Sequence, residues 1–391
     1  MTLQKLMTRW NGYQIEMRRW FHQHPEESTK EVRTAERIRA ELDRAGIPWR
    51  PCGLGTGTLA RIEGAQPGRT ILLRGDIDAL SVNEETGLPY ASEVPGVMHA
   101  CGHDCHISML LTAAMIVNEI RDRLKGTIVF AFQPAEELGL GARAMIEEGA
   151  LEGVDACFGM HVWSDYPAGT VALRKGPMMA SGDQFKIHVR GKSTHGAQPQ
   201  LGADALIMGA AIAQNLQTIV SRETYPGDTA VVTVGKFHSG TRFNVVAGTA
   251  ELAGTTRTFS PAVRDRFEEQ ITRIARSTAE AMRGTADVEY LRIVPVTVND
   301  PGMIDVVTGA AGKIFGDKGV IEADLQMGGE DFAFYQEKVP GAMVLLGVRN
   351  EACDAVWPQH HGCYKVDESV LVKGAALHVQ TALDFLGVDL Q

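Results

Sequence analysis

A chain of 391 residues is longer than one hydrophobic core usually organises, so two domains of about 100 to 200 residues each are expected. With 44% hydrophobic and 22% charged residues, the composition excludes a disordered or fibrous protein. A formal net charge of -10, with no Lys/Arg run, speaks against nucleic acid as a partner, since phosphate binding needs a basic surface. No stretch approaches about eighteen consecutive apolar residues, and the opening MTLQKLMTRWNGYQ has no long apolar run. Neither a membrane partner nor a secretory signal is expected, and the expected compartment is the cytoplasm. Six cysteines are too sparse for a disulfide framework and read as free thiols.

In chain order, Ile38, Leu42 and Ala45 recur beside charged positions, predicting an amphipathic helix from Trp20 to Gly46, ended by Gly46 and Pro48. Apolar runs at 70–74, 127–132 and 156–162 predict strands, and 107–124 and 142–148 predict helices. That alternation implies an α/β fold with a largely parallel, helix-covered sheet. Near Ser181 the pattern changes: Phe185, Ile187 and Val189 alternate with polar residues. A strand at 184–190, a helix at 203–220, strands at 230–234 and 249–258, a helix at 261–283 and a strand at 288–293 suit a small α+β sandwich. Residues 295–301 read as a return linker, after which a strand at 342–347 and a helix at 369–386 complete the first sheet. The expected domains are a discontinuous catalytic domain, 1–181 and 296–391, and an inserted α+β lid or dimerisation domain, 182–295.

Chemistry concentrates in short motifs. Arg74-Gly-Asp76-Ile-Asp78 follows a strand, placing both acids beyond its carboxyl end, where open α/β sheets build their crevices. His99-Ala-Cys101-Gly-His103-Asp104-Cys105-His106 packs five thiols and imidazoles into eight residues before a helix. Such side chains are costly to bury without partners, and thiolate and imidazole are zinc-preferred ligands. Gly102 would let Cys101 and His103 turn toward one centre. Gln133-Pro-Ala-Glu136-Glu137 ends the next strand, and Pro134 permits a turn from which both carboxylates converge, one to ligate metal and one to take a proton from water. His161 ends a third apolar run, and His360-His361 precedes the last helix.

The strings GDIDAL, ETGLPYAS, MHACGHDCH, QPAEE, EEGAL, GMHV, STHGAQP and GGEDF, in this order, resemble the aminoacylase and carboxypeptidase family of dinuclear metallopeptidases. The resemblance runs over nearly the whole chain and points to the branch of bacterial aminoacylases, hippurate hydrolases and auxin-conjugate amidohydrolases. It implies two divalent metal ions, zinc in the first place with manganese, cobalt or nickel as alternatives, held by Cys101, His103, Glu137, His161 and a late histidine. Cys101 would bridge the two ions. Counting back four from Tyr364 selects His360; His361 stays open because Gly362 stands where the family has proline. Glu136 is implied as general base, His195 as oxyanion donor, Asn244 and Arg257 as holders of the substrate carboxylate, and Asp78 as the residue orienting a ligand.

The implied reaction is hydrolysis of the amide bond of N-acyl amino acids by metal-activated water, in a homo-oligomer, a dimer or dimer of dimers, assembled through the inserted domain. A dipeptidase or carboxypeptidase of the same family is the alternative. Two further readings are an amidase with Cys101 as nucleophile activated by His103, and a non-catalytic metal-binding protein.

Overall fold

The computed structural model describes residues 2–390. It opens with helices α1 (Leu3–Gln23) and α2 (Val32–Arg44), strands β1 (Trp49–Pro51), β2 (Thr58–Glu63) and β3 (Gln66–Asp76), then α3 (His103–Glu119), β4 (Lys125–Gln133), α4 (Gly141–Glu147), β5 (Ala156–Pro167) and β6 (Val171–Leu173). A second group comprises β7 (Ser181–Arg190), α5 (Ala205–Asn215), β8 (Ala230–Ser239), β9 (Thr249–Thr258), α6 (Pro261–Ala281) and β10 (Thr285–Val294). The chain returns through α7 (Pro301–Phe315), β11 (Val320–Glu322), β12 (Gly341–Arg349) and α8 (Leu371–Leu386).

The first and last groups build an eight-stranded sheet in the order β1-β2-β4-β3-β5-β12-β6-β11. Its centre is parallel, with β3 between β4 and β5, and β5 beside β12. At one edge β1 and β2 run antiparallel. Ile71, Leu72 and Leu73 in β3 and Phe130, Ala131 and Phe132 in β4 are buried on both faces, as a helix-covered parallel sheet requires. Helix α3 is buried continuously from His103 to Val117; after a polar first turn it is largely apolar on every face, and it packs against α1 and α8. Because β3, β4, β5 and β12 are parallel, their carboxyl ends share one side of the sheet.

The second group forms a four-stranded antiparallel sheet, β8-β9-β7-β10. Phe185, Ile187 and Val189 turn inward onto Met208 and Ile212 of α5 and Phe267 and Ile271 of α6. Asp204 caps α5 by accepting from the N–H groups of Leu206 and Ile207, and Ser260 caps α6 ahead of Pro261. The chain divides into two compact units: Met1–Gly176, Val298–Asp324 and Asp331–Gln391 in one, Pro177–Thr297 and Leu325–Glu330 in the other. The short segment Leu325–Glu330 joins the second unit because Ala180 N–H donates to the Gln326 carbonyl and Gln326 N–H to that of Met178.

Three elements differ from the sequence expectation. The single helix from Trp20 to Gly46 is two helices, α1 and α2. Pro25 cannot continue α1, and the Glu26 carboxylate accepts from Arg33 and Thr34 N–H to open α2 afresh. The helix expected to reach residue 220 ends at Asn215, and a π-helical turn follows at Ile219–Glu223. Helix α7 has no counterpart in the expectation, although Asp300 accepting from Met303 N–H and Pro301 at the first position are ordinary start signals.

Candidate metal centre

Four loops at the carboxyl ends of the parallel strands bring their donors to one place. The first descends from β3 and carries Asp78. Its Oδ1 accepts from His103 Nδ1 at 3.2 Å, while its Oδ2 accepts from Ser28 Oγ at 2.6 Å and from the Glu137 backbone N–H at 3.1 Å. One carboxylate therefore fixes two neighbours, orienting the His103 ring and anchoring the turn that bears Glu137. With the proton on Nδ1, His103 presents its Nε2 lone pair inward.

The second loop delivers Cys101. Gly102 adopts a left-handed backbone, φ 89°, and a Cβ there would lie 2.5 Å from Val162 Cγ2 and 2.9 Å from Tyr364 Oη. Only glycine fits this turn, which lets the chain reverse between Cys101 and His103 as α3 begins.

The third loop follows β4. Ala135 is also left-handed, φ 50°, and its N–H donates at 2.9 Å to the buried carboxylate of Glu31. This strained corner turns Glu136 and Glu137 toward the donors from the other loops. The fourth contribution is His161 on β5, whose Nδ1 donates to the Val162 carbonyl at 2.6 Å, leaving Nε2 free to face Cys101 Sγ at 3.4 Å.

His360 enters from the segment after β12, its N–H donating to the Ala100 carbonyl at 2.8 Å and its Nε2 lying 3.5 Å from Glu137 Oε1. His361 is used differently: it stacks on Trp357, ring centroids 4.6 Å apart, and its Nδ1 accepts from Cys363 N–H.

The donor atoms form overlapping groups, in each of which all lie within 4.8 Å of one another: Cys101, His103 and His161; Cys101, Glu137 and His360; and His103, Glu136 and Glu137. Cys101 belongs to the first two. The His103 Nε2 and Glu137 Oε1 atoms are buried without a hydrogen-bond partner. Orphaned donors of this kind are rare in native structures, and two cations would satisfy them.

Electrostatics support the same fit. Burial pushes the Cys101 thiol far up, and the carboxylates of Glu137, Glu136 and Asp76 push it further. Burial opposes charge on His103, yet Asp76, Asp78 and Glu137 raise it to about 10. Burial also holds His161 well below the usual imidazole range. A thiol hemmed in by acids is a poor free nucleophile, which weighs against a covalent thiol mechanism. Cationic charge at the centre reverses that logic, favouring thiolate and neutral imidazole.

Sequence reasoning passed over a second layer. Arg74 is buried and donates to Gln133 Oε1 at 2.9 Å, Asp76 Oδ2 at 2.6 Å and Asp331 Oδ1 at 2.8 Å. Asp76 accepts in turn from His106 Nδ1, and His106 Nε2 accepts from Val162 N–H at 2.9 Å, next to His161. The signals were present as RGD, GGED and the last histidine of MHACGHDCH, but apart from Arg74 with Asp76 the partners lie 30 to 257 positions apart and cannot be paired by spacing.

The remaining three expected site residues belong to the second unit. His195 is exposed, and its Nδ1 accepts from Ala197 N–H at 3.0 Å, so the neutral ring carries its proton on Nε2. His195 pairs with Val245, and the Asn244 carbonyl accepts from Gly196 N–H. Asn244 Oδ1 is buried without a partner. Arg257 lies half-buried on β9 opposite Gly182 of β7.

A parallel α/β sheet with thiolate, imidazole and carboxylate donors gathered at its carboxyl edge defines a metal-dependent hydrolase. The sequence pattern described as Peptidase family M20/M25/M40 matches residues 72–384, and the chain belongs to that family. It is 41% identical over 368 residues to an N-acetyl-L-cysteine deacetylase of Bacillus subtilis, covering 94% of this chain and 87% of that one. It is 39% identical over 375 residues to thermostable carboxypeptidase 1 of Saccharolobus solfataricus, covering 95% of each. Among solved structures it superposes on the Bacillus subtilis YXEP protein, described as a dinuclear metal binding peptidase from the M20 family. The TM-score is 0.86 at 36% identity, over 98% of this chain and 100% of that one.

Proposed function

We propose that this protein hydrolyses the amide bond of N-acyl amino acids to a carboxylic acid and a free amino acid. The observation that carries the proposal is the pair of donor groups sharing Cys101, with unpartnered atoms on His103 and Glu137. Cys101, His103, Glu137, His161 and His360 hold two divalent ions, zinc first on the softness of the donors, with manganese, cobalt and nickel ranked by reconstitution. Bound there, such ions supply Lewis acidity, lowering the pKa of water and polarising the amide carbonyl.

The chain's own residues do the rest. A Glu136 carboxylate oxygen takes the proton of the attacking water and returns it to the leaving nitrogen. His195 Nε2–H donates to the developing oxyanion, an interaction typically contributing about 2.7 to 4 kcal/mol. Asn244 and Arg257 hold the substrate carboxylate, Arg257 through a two-pronged fork. Asp78 keeps His103 in its ligating tautomer. The second unit, Pro177–Thr297 with Leu325–Glu330, serves as a lid that excludes water and as the dimerisation surface. Six free cysteines suit a reducing compartment, the cytoplasm, and among the described residues no helix is long and apolar enough to cross a membrane.

The test is Glu136→Gln, purified with metal content equal to wild type. Turnover falls by about 10²- to 10⁴-fold if Glu136 is the base; near-wild-type turnover sinks the assignment. A second reading, a dipeptidase or carboxypeptidase, is favoured by the similarity to thermostable carboxypeptidase 1. Side-by-side hydrolysis of N-acetyl amino acids, N-benzoyl amino acids and dipeptides by the metal-loaded enzyme separates the two.

A further inference from the structure

Arg257 poses a question of packing. Its side chain is half-buried, yet no hydrogen bond or ion pair joins it to any described residue. A Cβ placed on Gly182, its cross-strand partner, would lie 1.8 Å from Arg257 Nη1 and 2.9 Å from Cζ. A Cβ on Gly329 would lie 3.4 Å from the same Nη1 and 2.5 Å from Val294 Cγ2. The guanidinium thus lies across β7 over the one position that has no side chain, with Gly329 and Val294 alongside.

The neighbouring acid does not neutralise it. Asp183 holds Arg264 through two bonds of 2.9 and 2.7 Å and accepts from Tyr290 Oη and Ile293 N–H. Being adjacent to Gly182 on a strand, Asp183 projects to the opposite face. On its own face the Arg257 guanidinium lies beside Gly182 and Gly329, neither of which has a side chain to offer it an acceptor. Glycine inside a strand weakens it and commonly marks a close approach. Here what approaches is the guanidinium itself.

We propose that Gly182 and Gly329 form a cradle that fixes the Arg257 fork for a carboxylate, so that these two glycines set the preference for amides bearing a free α-carboxylate over neutral ones. The inference rests on the reading of Arg257 as the carboxylate holder. Neither glycine has a left-handed backbone, so alanine is conformationally permitted at both. The clash at Gly182 is with the far end of a flexible side chain, which moves aside rather than unfolding the strand. The price of alanine is therefore the position of the fork.

The test compares kcat and KM of the metal-loaded enzyme on an N-acetyl amino acid and on its neutral C-terminal amide. Gly182→Ala raises KM for the acid and lowers the acid-to-amide ratio of kcat/KM by roughly ten- to a hundredfold, the scale of one charge-assisted hydrogen bond. Gly329→Ala shifts the ratio the same way by less, because its Cβ meets the guanidinium at 3.4 Å. In an Arg257→Ala background, Gly182→Ala has no further effect on the ratio, the signature of action through Arg257. If Arg257→Ala lowers the ratio but Gly182→Ala does not, the cradle is wrong and the carboxylate reading stands. If Arg257→Ala leaves the ratio in place, both fall. Equal losses on both substrates would mark a general structural role and overturn the cradle; should Gly182→Ala not fold, Gly329→Ala with its own Arg257→Ala cycle decides.

Discussion

Cys101 is one of six free cysteines, and its neighbours distinguish it from the other five. Cys157 is buried among apolar groups that push its thiol up by desolvation alone, and Cys52 lies 3.6 Å from the Met145 carbonyl. Among the six, Cys101 is the one that lies within 4.8 Å of both imidazole and carboxylate donors, including His103 Nε2 and Glu137 Oε1, two buried atoms with no hydrogen-bond partner. Replacing it with serine substitutes a weakly acidic hydroxyl for a thiolate where both donor groups meet. Cys101→Ser is expected to lower bound metal from about two ions to one or fewer per chain by elemental mass spectrometry, whereas Cys52→Ser and Cys157→Ser retain the full complement. Equal loss in all three would detach metal binding from Cys101. At this scale the sequence was informative because Cys101, His103, Glu136 and Glu137 are short-range clusters whose density is itself abnormal. Ser28 against Asp78, Glu31 against Ala135 and Asp331 against Arg74 were hidden, since each pair joins residues from 50 to 257 positions apart.

Elements were legible where one periodicity ran unbroken. Strand β9 and the paired order of strands and helices in the second unit followed from alternation, and the apolar runs gave β3, β4 and β5. The start of the chain was harder, because α1 and α2 are both amphipathic and only Pro25 with the Glu26 cap divides them. Helix α8 carries a residue whose environment has a thermodynamic consequence. His378 is 1% exposed, its Nδ1 lacks a partner, and its ring meets Phe158 edge-on at 5.1 Å. Burial, with His106 nearby, depresses its pKa from 6.5 to about 3. The unfolded chain takes up a proton at this histidine below pH 6.5 and the folded chain does not until about pH 3, so the stability tied to neutral His378 is present above pH 6.5 and drains away as pH falls between those values. The contribution is of the order of a few kcal/mol at the acid end. His378→Leu removes it, and denaturant unfolding of variant and wild type should show a difference in stability that grows in the variant's favour from pH 6.5 toward pH 4. A difference independent of pH would mean that the folded chain protonates His378 freely.

At the scale of the molecule, two separate cores underlie the two units, one around β3, β4, β5, α3 and α8, the other between the second sheet and α5 and α6. All five proposed metal ligands belong to the first. A ligand bound only by the folded state stabilises by RT ln(1 + [L]/Kd), about 4 kcal/mol at a thousandfold excess over Kd. That energy reaches whatever unfolds together with the site. Chelation should therefore speed amide hydrogen exchange in β3, β5, α3 and the turn at 134–137 by a factor approaching a thousand where exchange needs the first unit to open. Amides of β7, β9, α5 and α6 should change little, because their core contains no ligand. Mass spectrometry of peptic fragments reads both sets in one experiment. Parallel acceleration in the second unit would show that the cores unfold as one cooperative block, and the energetic independence argued from their separation would fail. Acceleration confined to 99–106 and 134–137 would instead restrict the metals to ordering loops on a sheet that stands without them.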